Sequence, residues 1–450
     1  MKKILVLFFV LIWVSISNGA RLWSSGAETG GLPVSIPGYE FSEFNDIAPP
    51  TFSTTIKRSG TYSLKFGATN NPIYVTHYFA STEQQADFYA RAYIYVEQFA
   101  ANDTNPILTF QATGAGNNVS IRLKSNGTLI LYNEEDLAPV GSASAVLELR
   151  RWYKIELRTN TTTLASTAIA AKLDTTTFAS GTINLADGIA QIAFGRISSN
   201  RTSIIYFDDM ALNDGTGSFQ NSYPGYGRIV HLKPRIAGSK NMWNHKDGSA
   251  GSSTNYDEVN EITPNDVTDY VKSRNTLNDT DFYAIDSFTT KVDTLVSITL
   301  VQTGVRFTDS SGANGDDFAL EIKLKGGVPE VGSTIAPIST TWYTNDPSGN
   351  SVLNYTQTLY DLPGASTVAW TGKQLDTTQI GMLVNNVTGS TKTYVSTVWL
   401  LVEYGYNKVN YLLEASKDNW GTDSVSTNFG SDTALLVGSG SGTEFGNKRA

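Results

Sequence analysis

The 450 residues exceed what one hydrophobic core usually organises, which predicts two domains of ordinary size and some tail. No cysteine is present, which excludes a disulfide scaffold, thiol nucleophiles and thiolate metal sites together. Charged residues make up only 17% and the formal charge is −9, a balance that argues against nucleic acid or an anionic membrane as partner.

The chain opens on "MKKILVLFFVLIWVSISNGA", with two lysines, an apolar run from Ile4 to Val14 and small polar residues ending at Ala20. That layout is a secretory signal peptide over residues 1–20, since the run falls short of the ~20 residues a spanning helix needs. The expectation is a secreted or cell-surface protein. Loss of the two lysines leaves 31 basic residues against 42 acidic ones, a formal charge of −11. No later segment is apolar enough to span a bilayer.

Abundant Thr, Ser, Asn, Gly and Tyr favour strands and turns over helices. From residue 60 onward short alternating segments recur. "TYSLKFGA", "PIYVTHYFAS", "DFYARAYIYVEQF", "PILTFQATG", "NVSIRLKSNG", "TLILYNE", "RWYKIELRTN", "STAIAAKLD", "IAQIAFGRIS" and "SIIYFDDMALND" each read as a strand. "TGAGNN", "SNG" and "ADG" read as turns. Many antiparallel strands without helical crossovers predict an all-β fold, a sandwich or jelly roll. In "DFYARAYIYV", Phe88, Ala90, Ala92, Ile94 and Val96 alternate with Tyr89, Arg91, Tyr93 and Tyr95, so one face enters a core and the other carries three tyrosines and an arginine.

The order of "WSSGAETG", "RSGTYSLKF", "FYARAYIYV", "RWYKIELR" and "IYFDDMALND" across residues 21–213 resembles the concanavalin A-like lectin and glucanase jelly rolls of laminin-G type. The resemblance implies a two-sheet jelly roll with a concave face, a fold used for carbohydrate binding, glycan hydrolysis and protein adhesion. Its last strand would carry Asp208 and Asp209. These read as strand-end and turn chemistry, because Asp beside a turn caps backbone donors and neighbouring strand residues point to opposite faces.

A Gly-, Ser-, Asn- and Pro-rich stretch, 214–226, reads as a linker to a second β-sandwich over 227–405. There, "DFALEIKLK" predicts Phe318, Leu320, Ile322 and Leu324 inward and Glu321, Lys323 and Lys325 toward water. "SYPGYGRIVHLKP", "PNDVTDYVKS", "WYTNDPSGN", "AWTG" and "WLLVEYGY" resemble a β-sandwich domain of bacteriophage structural proteins. Trp342, Trp370 and Trp399 read as core or interface residues. Residues 406–450 read as a tail or the start of a truncated repeat.

A hydrolase of the first fold would place carboxylates two apart on one strand face, and a Glu-x-Asp-x-x-Glu pattern is missing. Glu134, Glu135 and Asp136 read as a solvated turn, and His77, His231 and His245 are not spaced to share a metal. Asp309 to Asp317 is the best calcium candidate but reads as an Asp-rich hairpin loop, so no cofactor and no catalytic or metal residue is assigned. Sugars stack on aromatic faces with polar groups at the edge, so Tyr89, Arg91, Tyr93 and Tyr95 are the candidate ligand-binding residues, on the condition that their face is open. The resulting expectation is a secreted, non-catalytic recognition or adhesion protein with a polysaccharide or glycan as partner. A virion or surface-fibre component, with self-assembly, is the alternative, and a glycoside hydrolase or lyase stands third.

Overall fold

The structure, a computed structural model, describes residues 21–32, 39–45, 47–79, 84, 86–101, 104–112, 116–199, 202–261, 263–292, 296–310, 315–337, 339–345, 355–387, 389–406, 410–413 and 425–428. The signal-peptide expectation, most of the tail and residues 311–314 of the calcium candidate lie outside the described residues.

Strands β1 (Arg21–Ser25), β2 (Glu43–Phe44), β3 (Thr51–Ser53), β4 (Ser63–Phe66), β5 (Ile73–Tyr78), β6 (Asp87–Gln98), β7 (Thr104–Gln111) and β8 (Asn117–Lys124) open the first sandwich. They are followed by β9 (Leu129–Asn133), β10 (Ala138–Val140), β11 (Trp152–Asn160), β12 (Thr167–Leu173), β13 (Thr176–Ile183), β14 (Gln191–Arg196) and β15 (Ile204–Asp214). One sheet runs β13-β12-β11-β6-β15-β4-β3 with β1 added beside β15, and the other runs β10-β9-β8-β7-β14-β5-β2. All their pairings are antiparallel, as alternating strands joined by tight turns require. The inward row of β6, Phe88 to Val96, is fully buried in one cluster with Phe110, Val119, Ile121, Ile192 and Phe194 from the opposite sheet. Burial of that apolar area is the main stabilising term of this half.

The second sandwich comprises β16 (Arg228–Leu232), β17 (Pro234–Asn241), β18 (Val271–Lys272), β19 (Thr280–Ile285), β20 (Val296–Asp309), β21 (Asp317–Leu324) and β22 (Glu330–Ile335). Strands β23 (Tyr343–Thr344), β24 (Thr358–Leu359), β25 (Asp361–Leu362), β26 (Ala365–Ala369), β27 (Thr378–Asn386) and β28 (Thr393–Tyr406) complete it. Its sheets are β16-β28-β20-β23, with β18 on β28 and β24 on β20, and β17-β19-β27-β21-β22. They enclose a separate cluster that includes Trp243, Phe307, Phe318, Leu320, Ile322 and Val402. A short β29 (Asn410–Leu413) pairs with β30 (Val425–Asn428) in the tail. Among the described residues no helix is long and apolar enough to cross a membrane.

The chain is thus all-β, as its composition predicts. Two details of β21 differ from the alternation argument. Lys325 is exposed, but Glu321 and Lys323 are buried. Lys323 has strands on either side of its own, and its ammonium lies 3.7 Å over the Phe282 ring and donates to Ser239 Oγ at 2.6 Å, so an outward position is not a wet one.

Trp370 and Trp399 are buried, whereas Trp342 is half-buried beside Tyr270. Gly304 is the cross-strand partner of Trp399, and a Cβ there would stand 2.0 Å from the indole. Gly304→Ala is therefore expected to destabilise the protein by about 1–3 kcal/mol, the usual range for overpacking a core. A chemical-denaturation midpoint unchanged by the substitution would refute this contact.

Candidate functional site

The tyrosine and arginine row of β6 lies under other parts of the chain. Tyr89 is 9% exposed, Arg91 0% and Tyr93 3%. The linker and the second sandwich cover them. Tyr89 packs edge-on against Tyr223 at 5.0 Å and donates its hydroxyl hydrogen to Asp87 at 2.8 Å. Arg91 donates to the Asp209 carbonyl at 2.9 Å and to Glu403 of β28 at 2.6 Å. The Arg58 guanidinium lies 3.3 Å over the Tyr93 ring, whose buried hydroxyl is pushed up to about 12, chiefly by burial. Tyr95 is half-buried between Trp152 and Tyr206. The openness on which the sugar-stacking reading of these four residues depended is absent for Tyr89, Arg91 and Tyr93.

Asp208 and Asp209 belong to the same junction, and their placement corrects the strand-end reading. β15 runs past them to Asp214, and the pairing with β6 shifts register between Asp208 and Ala211, where Asp209 adopts φ +47°. This bulge turns both carboxylates onto one loop, which simple alternation forbids. Asp208 accepts from the Arg58 and Ser59 backbone N–H groups at 2.7 and 3.3 Å. Asp209 accepts from Ser59 Oγ at 2.5 Å, from the Ile229 N–H of β16 at 2.6 Å and from Arg58. Asp209 thereby ties β16 of the second sandwich to the first, and Asp208 fixes the Arg58–Ser59 loop from which Asp209 is also held.

More buried acids line this junction. Glu28 accepts three backbone N–H bonds from Thr61 and Tyr62, and Glu40 is bound by Thr29 and Ser25. Burial outweighs these donors and lifts Glu28 to about 8 and Glu40 to about 7. His231 stacks on Trp399 at 5.4 Å, and burial lowers its imidazole to about 3, so it is neutral. A cavity of about 30 Å³ lies between Glu28, Thr61, His231, Lys233, Glu261 and Trp399, room for one water and none for a sugar.

The outward face of the seven-stranded sheet is different. Hydrogen-bonding register sets Glu43, Thr76, Ala193, Thr109, Ser120 and Tyr132 side by side across six strands. At the ordinary strand spacing the part from Thr76 to Ser120 is ~14 Å long. Thr76, Thr109 and Ser120 form a buried floor, while Tyr74, Tyr78, Arg122, Tyr132 and Gln191 stand half-buried around it. The Thr109 hydroxyl has no hydrogen-bond partner there. Gln191 donates to Gln111 at 2.9 Å, and Tyr78 donates to Glu43, whose charge, after burial itself, raises the phenol. Arg122 lies 3.7 Å over the Tyr132 ring and grips both oxygens of Glu134, with Nε at 2.9 Å. Hydroxyls and amides between aromatic walls are the groups that recognise sugars.

Sequence reasoning recognised β5, β7, β8, β9 and β14 but not their shared face. The signal was available in the polar alternation of Tyr74, Thr76 and Tyr78 and of Ser120, Arg122 and Lys124. Glu134 also departs from the solvated-turn reading: it is 8% exposed and ion-paired, whereas Glu135 and Asp136 are exposed as expected. His77 is stacked on Trp23 at 5.0 Å inside the core, and His245 pairs with Glu258 at 2.7 Å. Of the calcium candidate, Asp316 binds Ser273 Oγ and the Asn275 N–H, and Asp317 accepts from Asn386. Among the described residues no group of three or more His, Asp or Glu side chains is placed to hold a metal ion.

The architecture defines a protein of two all-β sandwiches. Among solved structures it is similar to the cellulose induced protein Cip1, with 18% identity over 45% of this chain and 99% of that one and a TM-score of 0.33. It is also similar to an endo-beta-1,4-glucuronan lyase from the fungus Trichoderma reesei, with 15% identity over 44% and 100% and a TM-score of 0.32. A Trypanosoma rangeli sialidase in complex with sialic acid matches at 14% identity over 36% and 27%, with a TM-score of 0.28. No family model and no curated protein matches the chain. The likeness is one of all-β architecture, and no residue is carried over from these proteins. The expectation that the chain is not an enzyme is nonetheless corrected here. A lyase and a sialidase stand among its matches, and a missing hydrolase pattern does not exclude other carbohydrate chemistry.

Proposed function

We propose that this is a carbohydrate-binding or carbohydrate-active protein, secreted or displayed at a cell surface, that receives glycan on the outward face of its seven-stranded sheet. The observation that carries the reading is the cross-strand row from Glu43 to Tyr132, with a hydroxyl floor and half-buried aromatic walls on a face to which the second sandwich makes none of the hydrogen bonds described above. In this reading the first sandwich is a jelly roll of concanavalin A-like type. The second, of the bacteriophage structural type, stiffens and presents it.

The test is titration of the mature chain with a polysaccharide panel, with chain cleavage measured in parallel. Tyr132→Ala and Tyr78→Ala are each expected to weaken binding about tenfold or more, the ordinary worth of a ring that stacks or orients a ligand. Tyr93→Ala, on the covered face, is expected to leave the affinity of folded protein unchanged. Loss of binding in Tyr93→Ala alone, or no binding to any glycan, would end the proposal.

A further inference from the structure

We infer that the glycan is neutral: the outward face is built for sugar hydroxyls and against a uronate or other carboxylated sugar. The inference rests on the reading of that face as the glycan site and adds the class of ligand.

A carboxylated sugar is held by cationic donors free to form charge-assisted, often bidentate, hydrogen bonds. The guanidinium at the row of hydroxyls is Arg122, and it is already spent. Its Nε and one terminal nitrogen hold both oxygens of Glu134, its other terminal nitrogen reaches Thr104 Oγ1 at 3.4 Å, and its plane lies on Tyr132. Glu134 is itself fixed from a third side by the Ser120 hydroxyl, so the pair is not a loose surface contact. At the other end of the row stands Glu43, bound by the Tyr78 hydroxyl. Glu43, Arg122 and Glu134 together leave one net negative charge along the row. An anionic chain laid there meets repulsion and no open guanidinium.

Lys124 follows on the same face of β8 and has no acidic partner among the described residues. It lies four residues beyond Ser120, ~13 Å at the rise of a strand, and so outside the row. What the floor does present is neutral: Thr76, Thr109, Ser120, Gln111 and Gln191, with the buried Thr109 hydroxyl unpartnered. Amides and hydroxyls both donate and accept, which matches sugar hydroxyls.

The experiment titrates the full mature chain with neutral oligosaccharides (β-glucan, xylan and mannan fragments) and anionic ones (glucuronan, polygalacturonate and alginate fragments), at low and at physiological salt. A neutral oligosaccharide is expected to bind at least tenfold more tightly than any anionic one, with an affinity that salt leaves unchanged. Glu134→Gln frees Arg122 and is expected to strengthen anionic binding about tenfold, so that the preference for the neutral chain shrinks by about that factor. Glu43→Gln, which leaves the Arg122 pair intact, is expected to move anionic binding in the same direction by less. Tight, salt-sensitive binding of an anionic chain by the unaltered protein would overturn the inference and leave the glycan site standing. Binding of neither class would overturn both.

Discussion

Replacing Glu403 with alanine is expected to cost about 3–5 kcal/mol and to split unfolding into two transitions. Glu403 is 1% exposed and pairs with Arg91 at 2.6 Å and with Arg21, both of which are fully buried at their side chains. Burial alone would raise its carboxyl, but the two guanidiniums outweigh it and hold the group below its ordinary value. Without the carboxylate, two positive charges stay in the interface with no counter-charge between them. The structure can relieve that only by letting water in, which parts β28 from β6 and β1. Gly227 is closed to substitution for the same reason, since a Cβ there would stand 2.1 Å from Glu403 and 2.5 Å from Arg91. Calorimetry decides the matter: one transition, shifted by less than about 1 kcal/mol, would show that the triad does not couple the halves.

The second large effect is on pH. Stability is expected to fall as the pH rises from about 5 to 9, by several kcal/mol in order of magnitude. Glu28, Glu40 and Glu261 have folded values of about 8, 7 and 7, raised chiefly by burial from an ordinary 4.5. A group raised on folding contributes stability that is complete below its unfolded value and is lost as the pH climbs through its folded one. These acids therefore weaken the junction between about pH 5 and 8. Glu403 is depressed and acts in the opposite sense, its contribution vanishing as the pH falls below the carboxylate range. The two trends meet near pH 5, where the thermal midpoint should be highest. A midpoint that is flat or rising from pH 5 to 9 would contradict the assignment, and Glu28→Gln should remove part of the slope.

The inward half of the first sandwich was legible because alternation is local: Phe88 to Val96 announce a buried face within nine residues. The outward half was not. Whether Tyr89, Arg91 and Tyr93 meet water depends on Glu403, 312 positions further along the chain from Arg91, and no short window contains that fact. The Asp208 and Asp209 pair failed for a related reason. A bulge with one residue at positive φ redirects two side chains at once, and nothing in "YFDDMA" marks it. The Glu43 to Tyr132 row draws its members from six strands, so it exists only after registers are set. Its residues were visible singly, but their adjacency was not.

The stretch of residues 215–227 that crosses from β15 to β16 does more than connect. Tyr223 and Tyr226 lie under the ammonium groups of Lys172 and Lys154 at 3.5 and 4.4 Å, and the Gly225 N–H bonds Glu156 at 2.8 Å. A tether fastened along its path makes closure of the two halves an intramolecular event, at an effective concentration in the millimolar range for a short linker. Dilution, which separates ordinary subunits, has no purchase on such a joint. While the tether is whole the halves stay together at any dilution; a change in protonation loosens the joint without separating them, and only a cut in the tether makes their association depend on concentration.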